Sequence, residues 1–109
     1  MKNSVYFYRE LNNIIEKGED ALLCTVIAIS GSAPQVPGAR MIVTYGGIVS
    51  GTIGGGCGEN VVKTEAIRML STEETFKIFE VSLNDDLNQR DGDICGGRMA
   101  VLIEKICGH

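Results

Sequence analysis

Apolar and polar positions alternate along the chain with periods that predict a helix, a strand, a hairpin, a second helix and two more strands. Between residues 5 and 17 the apolar residues recur at helical spacing, with Tyr8, Leu11 and Ile15 (or Ile14) on one face. Ser4 is an N-cap type and Gly18 a stop, so an amphipathic helix is predicted over 5–17. Residues 21–29 are apolar except for Thr25 and rich in β-branched side chains, which predicts a strand buried on both faces. Both prolines of the chain, Pro34 and Pro37, then mark a polar loop over 30–38. Residues 39–45 and 48–53 read as two short strands joined at Gly46-Gly47, a pairing that predicts an antiparallel hairpin with a primed turn. Over 59–70, Val62, Ala66, Met69 and Leu70 follow the i, i+4, i+7, i+8 pattern of one buried helix face. Residues 75–81 and 98–106 read as strands on either side of a polar, acidic loop over 84–93. The expected fold is α+β, a single domain over 1–109 with a mixed sheet of about five strands and two main helices.

The segment 46–59 stands apart from this alternation, because seven of its fourteen residues are glycine. Glycine costs conformational entropy on folding, so such density implies a backbone that bends unusually or lies close to something. Gly54, Gly55 and Gly56 open onto the predicted helix, whose first N–H groups and positive dipole end favour an anion. Cys57 sits at that mouth, where a thiolate is stabilised, and Glu59 falls in the first turn, where its charge suits the dipole. The loop is neither a Walker A, since no Gly-Lys-Ser/Thr follows, nor G-x-G-x-x-G, since the sixth position from Gly54 is Glu59.

Composition narrows the function classes. A chain of 109 residues with 44% hydrophobic content builds one globular core. The net charge of −4, with scattered basic residues, argues against nucleic-acid binding. The apolar run 21–29 is too short to span a bilayer and the N-terminus is not signal-like, so no membrane association and a cytoplasmic location are expected. The four cysteines, Cys24, Cys57, Cys95 and Cys107, form no C-x-x-C pair, which excludes a zinc ribbon. Cys24 reads as a small core residue, whereas Cys57 and Cys95 are embedded in glycine and are the candidate thiolate ligands for a soft metal or a sulfur-transfer step. Asp85-Asp86 and Asp91-Gly92-Asp93 do not fit an EF-hand and read as solvated loop. His109 is the only histidine, so no Ser-His-Asp arrangement exists and hydrolytic catalysis is not expected.

Three segments together resemble the xanthine dehydrogenase accessory protein family of XdhC/CoxI type. They are Gly31-Ser32-Ala33-Pro34 with Gly38-Ala39-Arg40-Met41, then Gly51-Thr52-Ile53-Gly54-Gly55-Gly56-Cys57-Gly58-Glu59, then Cys95-Gly96-Gly97 followed by Glu104. The resemblance covers the family's N-terminal domain; full-length members carry a further, Rossmann-like domain. It implies a non-catalytic maturation factor or chaperone that binds molybdenum cofactor (molybdopterin) for sulfuration and insertion into a molybdenum hydroxylase such as xanthine dehydrogenase. The implied site adds Ser32, Gln35 and Arg40 to Gly54, Gly55, Gly56, Cys57, Glu59, Cys95 and Gly96, with Cys57 and Cys95 as metal ligands. Gln35 stands where members often carry arginine, a natural phosphate partner, and Gly58 where they often carry valine. The implied partners are the hydroxylase apoenzyme, a cysteine desulfurase, further copies of the chain and a separately encoded Rossmann-domain subunit. Two other readings remain open: a thiol or persulfide-transfer protein using Cys57 and Cys95, and a structural subunit completing a separate partner domain.

Overall fold

A computed structural model describes residues 4–31, 37–54, 56–82 and 97–108, with Ser4, Gly56 and Cys57 described in backbone only. The elements follow as α1 (Ser4–Glu16), β1 (Ala21–Ser30), β2 (Arg40–Thr44), β3 (Gly47–Gly51), α2 (Gly56–Met69), β4 (Phe76–Ser82) and β5 (Arg98–Ile106). Among the described residues, two helices and one five-stranded sheet make the α+β architecture expected. The sheet order is β3-β2-β1-β5-β4, and each neighbouring pair is antiparallel, so the sheet is not mixed. The reason lies in the connections. β1, β3 and β4 run one way, but β2 and β5 are always inserted between them. The one crossover, through α2, carries the chain from one sheet edge to the other and creates no parallel pair.

Two layers of core result from side-chain alternation along the strands. Leu22, Cys24 and Val26 of β1, Met41 and Val43 of β2, and Met99, Val101 and Ile103 of β5 face α2, which buries Val62, Ala66 and Met69 against them. Leu70, with Ile67, packs at the margin of this cluster, as the helical spacing predicts. On the opposite sheet face Ile14 of α1 is buried with Ala21 and Ile42, flanked by Phe7, Leu11 and Leu23. The inward face of α1 is therefore Phe7, Leu11 and Ile14; Tyr8 is exposed. β1 is buried on both faces only as far as Val26. Beyond a bulge between Val26 and Ala28, Ile27 and Ala28 are exposed, while Ile29 is half-buried against the α2-side cluster.

The hairpin forms as expected, but its turn is one residue earlier. Thr44 pairs with Gly47, which leaves Tyr45 and Gly46 at the tip, and β3 ends at Gly51. Neither tip residue has positive φ, so the turn is not a primed one; Gly47 alone takes φ 117°. A bulge between Ile42 and Val43 absorbs the extra residue, Val49. The two glycines thus differ in what they do. Gly47→Val is expected to cost more than about 1 kcal/mol through its disallowed φ, whereas Gly46→Ala is expected to be neutral. Urea denaturation of the two variants measures the contrast.

α2 is also fastened to β4 by charge. Glu65 accepts from Arg68 at 2.6 Å and from Lys77 Nζ at 2.6 Å, and Arg68 reaches Glu74 at 2.7 Å. Hydrogen bonds from Arg68, then the hydrogen bond and charge of Lys77, outweigh desolvation and hold the Glu65 carboxyl down to about 2. A depressed carboxyl stabilises the fold above its unfolded value, near 4.3, and loses that contribution as the pH falls towards 2. Glu65→Gln is expected to lower stability at pH 7 by about 1 kcal/mol, since Arg68 is half exposed and screened. It also flattens the stability loss between about pH 4.5 and 2, read by denaturant unfolding across that range.

Candidate functional site

Because β1, β3 and β4 run together and β2 and β5 run against them, one end of the sheet gathers five strand ends. They are the last residues Ser30, Gly51 and Ser82 and the first residues Arg40 and Arg98. Each of the three family-like segments joins the sheet at this end. The end is stepped. Arg40 pairs with Thr25, whereas Arg98 pairs with Ser30, so β1, β5 and β4 project beyond β2 and β3 by about 15 Å at some 3.3 Å per residue. The glycine loop and the start of α2 emerge on the lower side of that step.

The glycine loop is held from three directions. Ile53 is fully buried in the α2-side core and anchors the loop from below. Glu59, near the start of α2, reaches back so that its Oε2 accepts from Thr52 Oγ1 at 2.6 Å and from the Ile53 N–H at 3.1 Å. The Thr52 hydroxyl in turn accepts the Gly54 N–H at 3.0 Å, and Gly54 takes φ 123°, open only to glycine. α2 begins at Gly56 rather than at residue 59. This back-bonding and the Ile53 anchor outweigh the poor helix propensity of Gly56, Cys57 and Gly58. Cys57 therefore lies inside the first turn, where N–H groups lack intrahelical partners. Its side chain is not among the described groups.

Arg40 is placed differently from the loop. It shares the sheet face of Ile42, and its guanidinium lies 5.2 Å from the Tyr8 ring centre and 5.9 Å from that of Phe7, donating to the Tyr8 hydroxyl. The exposed Tyr8 thus serves as a partner of Arg40 rather than as core. Ser32, Gln35, Gly55, Cys95 and Gly96 lie outside the described residues, so the Cys57–Cys95 pair does too. Among the described residues no cluster of three or more His, Cys, Asp or Glu side chains gathers. Cys24 has no exposed surface, and burial pushes its thiol up to about 12, which makes it inert; Cys107 is exposed. Thr52 is a neighbour of the site that sequence reasoning misses. The signal that could have found it is a hydroxyl seven positions before a carboxylate at the start of a helix.

The donor set at the loop can be tested against an oxyanion such as a cofactor phosphate. Thr52 and Ile53 already serve the protein's own carboxylate, so they are not available to a ligand. Residues 56–58 form the start of α2, where helix geometry directs backbone N–H groups suited to an oxyanion.

Comparison with known proteins decides the family. The profile of the XdhC and CoxI family matches residues 14–81, more than half of the chain. The chain belongs to this family. It is 31% identical over 102 residues to a probable xanthine dehydrogenase subunit of Bacillus subtilis (strain 168), covering 92% of this chain and 31% of that protein. The crystal structure of a xanthine dehydrogenase from Bacillus halodurans superposes with a TM-score of 0.66 at 26% identity, covering 87% of this chain and 29% of that one. The chain thus spans about a third of the length of these relatives. Among the described residues, no helix is long and apolar enough to cross a membrane.

Proposed function

We propose that this chain is an accessory protein for a xanthine dehydrogenase-type molybdenum hydroxylase, binding molybdenum cofactor while it is sulfurated and prepared for insertion. The observation that carries the reading is the placement of the family's glycine loop. β3 ends at Gly51 and α2 starts at Gly56 with Cys57 in its first turn, at the sheet end where the other two family segments also join. In this reading the N–H groups over 56–58 receive the cofactor's phosphate, and Cys57 with Cys95 faces the metal and its sulfur. When bound, the cofactor supplies the molybdenum centre on which hydroxylation depends. The chain's own residues bind and orient it: Glu59 and Thr52 fix the loop, and Gly54 and Gly56 let the backbone approach. The partners are the hydroxylase apoenzyme and, as sulfur source, a cysteine desulfurase, in a cytoplasmic setting.

Anaerobic purification from a host that makes the cofactor, followed by molybdenum and pterin analysis, tests this. Near-stoichiometric pterin is expected on the wild-type chain, with large losses in folded Cys57→Ser and Gly56→Val variants. A folded wild-type chain free of both pterin and molybdenum overturns the reading. Turnover with a persulfide donor in place of stable binding would assign the cysteines to sulfur transfer instead.

A further inference from the structure

The two faces of the sheet are covered unequally. α2 closes one of them, while on the other α1 packs over Ala21, Leu23 and Ile42 and, among the described residues, nothing covers the β5-β4 side. Alternation puts Ala100 and Leu102 of β5 on that face, because Met99, Val101 and Ile103 point to α2. Register then sets Ile78 beside Leu102, Phe76 beside Glu104, and Thr25 and Ala28 on the other flank of β5. Phe76 is 64% exposed, Ile78 58% and the bulged Ile27 43%. At one end of the patch Arg98 and Glu80 form an exposed pair at 3.3 Å, and Glu104 lies towards the other. An apolar centre bounded by charges is the anatomy of a protein interface, and a sheet face of this kind is ordinarily covered by another layer.

The relatives are longer than the matched part. This chain corresponds to 31% of one and 29% of the other, so each carries about two-thirds of its length beyond the matched third. We infer that the β1-β5-β4 face centred on Ile78 and Leu102 docks the protein region that forms those remaining two-thirds. That region then supplies the third layer that α1 leaves incomplete. The inference rests on family membership and sheet geometry and not on the cofactor reading, so the two fail separately.

The test mixes the 109-residue chain with the unmatched region of the Bacillus subtilis relative, produced as a separate polypeptide, and follows complex formation by light scattering and calorimetry. A one-to-one complex is expected, weakened at least about tenfold by Ile78→Lys and by Phe76→Lys, whose exposed positions leave the fold intact. Hydrogen exchange on the intact Bacillus subtilis protein gives a second measurement that does not need the separated region to fold. Its strand aligned with β4 is expected to exchange more slowly than β4 in this chain, and lysine at the positions aligned with Phe76 and Ile78 is expected to abolish that protection. Equal exchange in the two proteins overturns the inference. So does a homodimer of this chain that Ile78→Lys dissociates, since a second copy would then hold the face.

Discussion

Gly51→Ala is expected to destabilise the domain by at least about 3 kcal/mol, a large share of the roughly 5–15 kcal/mol available to a domain of this kind. Two costs coincide there. Gly51 takes φ 79°, where an alanine is strained by about 1–2 kcal/mol. A Cβ at that position would also lie 2.3 Å from the Arg40 carbonyl oxygen, 3.1 Å from Met41 Cα and 3.0 Å from the Phe7 ring. The first two are backbone atoms of the paired strand, so relief means separating β3 from β2. That would also move Phe7, and with it the α1 aromatic pair that receives Arg40. Gly47→Ala is the control, with φ 117° but open space around its Cβ, and is expected to cost only about 1 kcal/mol. Urea midpoints compare the two. Equal losses would mean that the close approach of β2 and β3 at Gly51 is not as described.

This position also shows what the sequence could and could not reveal. The hairpin was legible from two apolar runs flanking glycine, and β5 was legible to the residue, because glycine stands close to both of its ends, at Gly97 and Gly108. The buried face of α2 followed directly from the spacing of Val62, Ala66 and Met69. The α1 face did not, because Phe7 and Tyr8 are both aromatic and adjacent, and periodicity alone cannot choose between them. Gly51 chooses, since the missing side chain leaves room for Phe7 against the hairpin, and Arg40 then takes Tyr8. The start of α2 was hidden for a related reason. Local propensity disfavours a helix through Gly56, Cys57 and Gly58, and only the buried Ile53 and the Glu59 back-bond, both tertiary, extend it there. The family-like segments were legible in the sequence, and the strand directions that bring their flanks to one end of the sheet emerge only from the pairing.

Glu59→Ala is expected to be the most informative change in the glycine loop. It leaves the Ile53 N–H, on a residue with no exposed surface, and the Thr52 hydroxyl without their acceptor. Stranding the Ile53 N–H costs about 1–3 kcal/mol, while the exposed Thr52 hydroxyl turns to water; losing a carboxylate near the α2 N-terminus adds about 0.3–1 kcal/mol. Glu59→Gln keeps an acceptor oxygen and loses only the charge, so about half of the stability should return. Thr52→Val removes the acceptor for the Gly54 N–H as well as the donor to Glu59. The Thr52–Glu59 double-mutant cycle is expected to show a coupling of about 1 kcal/mol. Amide exchange at Ile53 and Gly54 should rise in each single variant while β4 and β5 stay protected, which separates loosening of the loop from loss of the fold. If the loop presents the first turn of α2 to a cofactor, pterin retention should fall in the order wild type, Gln, Ala, following the loop amides rather than the unfolding midpoint. Retention unchanged in a folded Glu59→Ala protein with an exchanging loop would show that the Thr52–Glu59 contact serves only the turn from β3 into α2.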